Sequence, residues 1–261
     1  MIISKCKLKG AVKVSGAKNS ALRLLAASIL NPEPIRISNF PAGLLDVQLH
    51  IKMLELLGKK VSLQNDTIYI TDPGNNLKTE LIWEDRSIRN TLLILGALTA
   101  RFGKGKVPLP GGCNLGKRKY DLHVMALEKL GAVVWEENNY LCAECKTGRL
   151  IGNEIHLPIR STGATENSII MGTIAAGKTT VFNPHIRPEI MDLIAFLRKM
   201  GATINVFGQL AIEIEGVEKL RSIDHEVIPD NMEALTWAIG SVITNGDVEI
   251  INFPFEHLEV P

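Results

Sequence analysis

The chain has 261 residues, 46% of them hydrophobic, and its 29 Lys and Arg against 28 Asp and Glu leave a net charge of +1. This balance excludes a protein that attracts nucleic acid or an anionic membrane through its overall charge, so any anion site must be local. The longest apolar stretches, around residues 21–30 and 91–100, are too short to span a bilayer, and residues 1–7 hold no secretory apolar core. We therefore expect a cytoplasmic globular protein.

The predicted elements recur three times in the same order, which is an apolar helix, a strand that ends near a proline, a second helix that ends at a glycine, and a hairpin. The second helices end at Gly58, Gly131 and Gly201, which are 73 and 70 residues apart. Glycine fits there because a helix C-cap needs a positive φ. The hairpins are predicted at 61–63 with 67–70, 133–135 with 140–143, and 203–207 with 210–214.

This repeat of about 70 residues predicts an α+β fold in which three units surround a pseudo-threefold axis. We expect one complete three-repeat domain at 18–227, and a partial second domain formed by 1–17 and 228–261. A fourth unit starts near Glu233 and includes a strand at 248–251. Its helix should expose apolar side chains around Leu235, Trp237 and Ile239, which favours an oligomer or a second chain that completes the fold.

Each first helix begins near an asparagine followed by Ser or Thr, namely Asn19, Asn90 and Asn167. These residue types are favoured N-caps. If the three helices run side by side, their N-termini gather at one end of the domain, where free amides and dipoles attract anions. Lys18 and Arg89 would add full positive charges there. The sequence therefore predicts an anion site at this end.

A glycine-framed loop, Pro110-Gly111-Gly112-Cys113, precedes the basic cluster 117–119. Glycine lets backbone approach a ligand closely, and nearby cations favour the thiolate form of cysteine. Cys113 is therefore the candidate reactive residue, with a buried structural cysteine as the alternative.

Two further motifs do not predict sites. Residues 172–179 match the phosphate-loop pattern, but there a helix comes before the motif and a strand after it, which is the reverse of the required order. Cys142 and Cys145 have C-x-x-C spacing without further ligands to complete a zinc site. We expect no metal ion and no cofactor.

Three motifs together carry a family resemblance: Ser15-Gly16-Ala17-Lys18-Asn19, the loop from Pro110 to His123, and Ser161-Thr162-Gly163-Ala164-Thr165-Glu166-Asn167. With them the chain resembles the UDP-N-acetylglucosamine 1-carboxyvinyltransferases, a family of enolpyruvyl transferases. The resemblance implies two domains built from six βαβαββ units. It also implies transfer of the enolpyruvyl group of phosphoenolpyruvate to the 3′-hydroxyl of a UDP-sugar with release of phosphate, in peptidoglycan synthesis.

Carried over by position, the resemblance makes Cys113 the reactive-loop cysteine, which takes part in proton transfer at the phosphoenolpyruvate methylene and in product release. It makes Lys18, Arg89 and Arg118 the cations that hold phosphate and carboxylate. It also implies a UDP-sugar site, formed by Asn19, Asp121, Leu122, His123, Ser161, Thr162 and Gly163.

The acceptor and the activity of the chain alone stay open. Arg187 stands where a glutamate is common in the family, and Asn231 where an arginine is usual. The resemblance also implies that the carboxylate base of the family is supplied by sequence beyond residue 261. The alternatives are therefore a non-catalytic homologue that binds a UDP-sugar or an anion, and a transferase with another acceptor. A 3-phosphoshikimate carboxyvinyltransferase is disfavoured by the loop that contains Cys113, and an RNA-terminal cyclase by the neutral charge.

Overall fold

The computed structural model describes residues 6–73, 76–111 and 119–258. Along the chain the elements are β1 (Lys9–Lys13), α1 (Lys18–Ala27), β2 (Ile35–Ser38), α2 (Leu45–Leu57), β3 (Lys60–Gln64), β4 (Thr67–Thr71), α3 (Thr91–Phe102), β5 (Lys104–Pro108), α4 (Asp121–Lys129), β6 (Ala132–Glu137), β7 (Tyr140–Cys145), β8 (Glu154–His156), α5 (Thr162–Gly172), β9 (Lys178–Phe182), α6 (Pro188–Lys199), β10 (Thr203–Phe207), β11 (Ala211–Glu215), β12 (Ile223–Glu226), α7 (Asn231–Ile243) and β13 (Asp247–Ile251).

The predicted unit of helix, strand, helix and hairpin is confirmed in all three copies. The glycines that follow the second helices have φ values of 110° at Gly58, 94° at Gly131 and 108° at Gly201. A side chain at these φ values would be strained, which explains why each helix stops there. All three predicted hairpins form, as β3–β4, β6–β7 and β10–β11.

Each unit has its own sheet, in the orders β12-β2-β4-β3, β5-β7-β6 and β8-β9-β11-β10. In every sheet the single strand pairs antiparallel with the second strand of its hairpin. A parallel neighbour flanks the single strand in the first and third sheets, and a one-residue bridge between Glu80 and Lys106 takes that place in the second. The first sheet receives this neighbour, β12, from the far end of the chain, so residues 223–226 return to residues 35–38.

The first helices of the three units, α1, α3 and α5, form the centre of the core. In α3 every residue from Thr91 to Ala100 is buried, and in α5 every residue from Ala164 to Gly172. Burial on all sides fits the almost wholly apolar sequence of α3, whereas α5 also buries polar side chains, among them Glu166 and Asn167. The helices α2, α4 and α6 lie outside them, with one face buried.

The predicted asparagine caps are wrong in two of the three helices. α1 starts after Ala17, and α5 starts after Ser161, whose hydroxyl accepts a hydrogen bond from the Ala164 amide. Asn167 therefore lies inside α5, and it is buried. Asn90 does occupy the cap position of α3, but its side chain makes no capping hydrogen bond. Two of the three asparagines therefore lie inside a helix, and none of the three caps a helix with its side chain.

The segments outside the three units form a small sheet of their own. β1 pairs in parallel with β13, and α7 packs against β13. Only Ala234 is fully buried in α7, and Trp237, Ile239 and Val242 are exposed. The expected apolar surface of this helix is therefore present. The domain boundaries at residues 18 and 227 stay a prediction.

The phosphate-loop match at 172–179 lies between the end of α5 and the start of β9, as its reversed context predicts. Cys142 and Cys145 are buried free thiols on β7, whereas Cys6 is exposed. Among the described residues, no group of His, Cys, Asp or Glu side chains is arranged to hold a metal ion. Within the same ranges, no helix is both long and apolar enough to cross a membrane.

Candidate anion-binding site

The N-terminal ends of the three central helices meet at one cavity of about 540 Å³. Lys18 and Asn19 open α1, Arg89 and Asn90 precede α3, and Thr162 and Gly163 open α5; all six line the cavity. The gathering of these ends, predicted from the repeat, is confirmed. The positive dipole ends of helices make such a place favourable for an anion.

The charged side chains of the cavity are more numerous than the sequence predicted. Five cations and three carboxylates line it, namely Lys18, Arg23, Arg86, Arg89, Arg187, Asp46, Glu166 and Glu189. Positive charge is therefore in excess. An anionic ligand would supply the missing counter-charge.

Arg23 and Glu166 form a buried ion pair that joins α1 to α5. The Arg23 Nε donates to Glu166 Oε1 at 2.6 Å, and its Nη1 donates to the Asn19 carbonyl at 2.8 Å. Their side chains are 13% and 1% exposed. Burial raises the pKa of the Glu166 carboxyl, and the Arg23 guanidinium opposes that rise. The pair thus holds the guanidinium in one place beside the cavity.

His123, at the start of α4, is a neutral member of the site. Burial and the charge of Arg89 lower the pKa of its imidazole to about 3. Its Nδ1 lies 3.2 Å from Nδ2, the side-chain amide nitrogen, of Asn167. A Cβ at position 163 would stand 2.9 Å from its Nε2, so Gly163 is needed for this close approach. An uncharged imidazole can donate a hydrogen bond here without adding a positive charge.

The predicted site residues divide into three groups. Lys18, Asn19, Arg89, His123, Thr162 and Gly163 line the cavity. Ser161 caps α5, and Asp121 and Leu122 start α4 directly before His123, without lining the cavity themselves. Cys113 and Arg118 lie outside the described residues.

Sequence reasoning missed six charged members of the site, namely Arg23, Arg86, Arg187, Asp46, Glu166 and Glu189. Helical spacing could have found two of them, because Arg23 follows Asn19 by four residues and Glu166 follows Thr162 by four. Asp46 carried a weaker signal, as an acidic residue in the first turn of α2. Nothing in the sequence placed Arg86 near Lys18.

A second cavity, of about 640 Å³, lies near the C-terminal ends of the same helices, next to Leu30, Ala100 and Ile174. Its arginines already serve protein acceptors, because Arg101 donates to Asp72 and to the Ile29 carbonyl, and Arg149 to the Ile174 carbonyl. Helix C-termini also repel anions. The cavity that contains Lys18 is therefore the better candidate.

The model of the EPSP synthase family, 3-phosphoshikimate 1-carboxyvinyltransferase, matches residues 3–260. The chain belongs to this family. A UDP-N-acetylglucosamine 1-carboxyvinyltransferase 1 from Carboxydothermus hydrogenoformans is 42% identical over 260 residues, 99% of this chain and 60% of the relative. The enzyme of the same name from Chlorobaculum parvum is 41% identical over 257 residues, 97% of this chain and 59% of the relative.

Solved structures show the same fold. The enolpyruvyl transferase NikO from Streptomyces tendae has a TM-score of 0.76 at 23% identity, over 88% of this chain and 54% of that one. An EPSP synthase from Acinetobacter baumannii has a TM-score of 0.68 at 20% identity, over 88% and 52%. The predicted enolpyruvyl transferase fold is confirmed, and the chain spans about 60% of the length of the relatives that it matches in sequence.

Proposed function

We propose that this chain forms the anion- and UDP-sugar-binding part of an enolpyruvyl transferase that acts on phosphoenolpyruvate and UDP-N-acetylglucosamine, in the cytoplasm and in peptidoglycan precursor synthesis. The observation that carries the proposal is the excess of cations at three converging helix N-termini. Names of relatives at 41–42% identity support the substrates. The family description names 3-phosphoshikimate instead, and it is the runner-up.

In this proposal Lys18 and Arg89 hold the phosphate and carboxylate groups of phosphoenolpyruvate, together with Arg118. Arg89 has a fixed direction because its Nη2 donates to the Lys119 carbonyl at 2.7 Å. Such positioned cations stabilise charge that grows on a departing phosphate. Asn19, His123 and the Ser161–Gly163 turn would hold the UDP-sugar, with Asp121 and Leu122 at the edge. Cys113 would move the proton at the methylene carbon.

The complete reaction is proposed for the whole protein, because the chain covers about 60% of its relatives. Binding of a UDP-sugar or an anion without turnover is the second candidate for the chain by itself. The same coverage favours it, since transfer also requires groups that hold the acceptor hydroxyl in the right geometry.

Binding of phosphoenolpyruvate and UDP-N-acetylglucosamine, measured by calorimetry, tests the proposal. Arg89→Gln should weaken phosphoenolpyruvate binding by roughly 10- to 100-fold, since a charge-assisted hydrogen bond contributes about 1.5–3 kcal/mol. Arg36→Gln is the matched control, because Arg36 is an exposed arginine that pairs with Asp224 and does not line the cavity. Equal affinities of the two variants, or no binding by the unchanged chain, would contradict the proposal.

A further inference from the structure

Three of the five cations of the cavity, Arg23, Lys18 and Arg86, have counter-ions of two kinds. Arg23 is held by Glu166 through a hydrogen bond of 2.6 Å that is almost completely buried. Lys18 and Arg86 share one carboxylate, that of Asp46, at 3.5 and 4.0 Å. These longer contacts are electrostatic, since both exceed the usual length of a charge-assisted hydrogen bond. The pair of Arg23 and Glu166 is therefore fixed, whereas the contacts of Asp46 with Lys18 and Arg86 are easily broken.

The place of Asp46 is suited to exchange. Its two oxygens face different cations, Oδ2 the Lys18 ammonium and Oδ1 the Arg86 guanidinium. The three side chains are 32%, 43% and 56% exposed, so each can turn towards water at small cost. Asp46 also lies in the first turn of α2. The helix dipole there favours any negative charge, whether it is the Asp46 carboxylate or a bound anion. All three residues line the cavity.

We propose that Asp46 is a placeholder counter-ion. Its carboxylate occupies the position between Lys18 and Arg86 that a phosphate or carboxylate group of the ligand takes, and Arg86 thereby becomes an additional anion-binding residue. A phosphate group with two negative charges attracts both cations more strongly than one carboxylate does. Asp46 then weakens binding of any anion and favours ligands of high charge. The inference rests on the proposed function only in that the cavity binds anions.

Titration of inorganic phosphate into the full chain at low ionic strength tests the proposal. Asp46→Asn should bind phosphate about tenfold more tightly than the unchanged chain, because the substitution removes a negative charge that repels the anion and competes with it for Lys18 and Arg86. The gain should shrink as salt is added. Asp46→Ser gives the same comparison if the asparagine variant does not fold, as judged by circular dichroism.

Asp224→Asn is the matched control, because it removes the same charge from an exposed ion pair outside the cavity. It should leave phosphate affinity unchanged, and Arg86→Gln combined with Asp46→Asn should abolish most of the gain. An equal gain in Asp224→Asn would point to overall charge and would overturn the proposal. So would unchanged or weaker binding by Asp46→Asn, or no binding by any variant.

A parallel titration with phosphoenolpyruvate and UDP-N-acetylglucosamine separates this inference from the proposed function. If the unchanged chain binds neither substrate while Asp46→Asn binds phosphate, the placeholder stands and the proposed substrates are wrong. If the substrates bind but Asp46→Asn does not bind phosphate more tightly than the unchanged chain, the proposed substrates stand and the placeholder is wrong.

Discussion

Two buried histidines show how single residues set the response of this protein to acid. The imidazoles of His50 and His123 are both buried. Burial first, and then the charge of a neighbouring guanidinium group, Arg23 for His50 and Arg89 for His123, lower the pKa of each imidazole from an ordinary value of 6.5 to about 3. Between these pH values the unfolded chain binds protons that the folded chain excludes. The contribution of these two histidines to the free energy of unfolding is therefore fully present above pH 6.5, and it is lost as the pH falls towards 3.

We predict that His50→Leu makes the protein less sensitive to acid. Neither ring nitrogen of His50 has a hydrogen-bond partner in the part of the chain that the structure describes. Leucine fills a similar volume without a group that must be protonated. Between pH 6.5 and 4.5 the variant should retain roughly 2–3 kcal/mol more of its free energy of unfolding, at about 1.4 kcal/mol per pH unit.

Urea denaturation at several pH values measures this effect. The matched control is His156→Leu, since His156 is exposed with a side chain that is 64% accessible. A pH slope for His50→Leu equal to that of the unchanged chain would show that His50 does not carry the acid sensitivity.

At the scale of elements, the contact between α3 and α5 links the core to the candidate site. Gly96 lies in the middle of α3, and a Cβ there would stand 2.0 Å from the Asn167 side chain of α5. Asn167 in turn contacts His123 in the cavity wall. The absence of a side chain at one position of α3 thus allows the two helices to approach and the imidazole to keep its place.

Gly96→Ala should therefore destabilise the fold by about 1–2 kcal/mol, because overpacking costs about 1–3 kcal/mol and exceeds the gain of up to about 1 kcal/mol in helix propensity. The control is Gly240→Ala in α7, where the nearest atom is a flexible methyl group of Leu8 at 3.1 Å. That change should be neutral or slightly stabilising. Thermal unfolding of both variants compares them, and a stabilised Gly96→Ala protein would refute the packing argument.

At the scale of the whole molecule, α7 leaves a broad apolar surface uncovered. Val242 and Ile243 are 79% and 76% exposed, and Ile239 and Leu235 continue the patch along the same face of the helix, at steps of four residues from Ile243. Contiguous exposed apolar patches favour association. We predict that the 28.6 kDa chain self-associates through this face.

Sedimentation velocity over a range of concentrations tests the prediction. Val242→Glu combined with Ile243→Lys keeps the net charge and should shift the protein towards the monomer. Phe207→Glu with Leu210→Lys makes the same change at another exposed apolar pair, 52% and 77% accessible, and should leave association as it is. A monomer at all concentrations, or an equal effect of both pairs, would contradict a role for α7.

The sequence by itself determined the features that depend on neighbours along the chain. Glycines at 58, 131 and 201 end helices because each has a positive φ, and alternating residues after them form hairpins. The repeat of these signals predicted three equivalent units, and so the convergence of Lys18, Arg89 and Thr162. The short motifs around these residues were enough to indicate the family.

Tertiary structure decided what depends on residues far apart in the chain. β12 pairs with β2 across about 190 residues, and Glu166 reaches Arg23 across 143, without any local pattern that announces either contact. Asn167 reads as a helix cap by residue type, but packing against Gly96 places it inside α5. Local propensities are worth a few tenths to about 1 kcal/mol per residue, so the burial of the three central helices against one another overrides them.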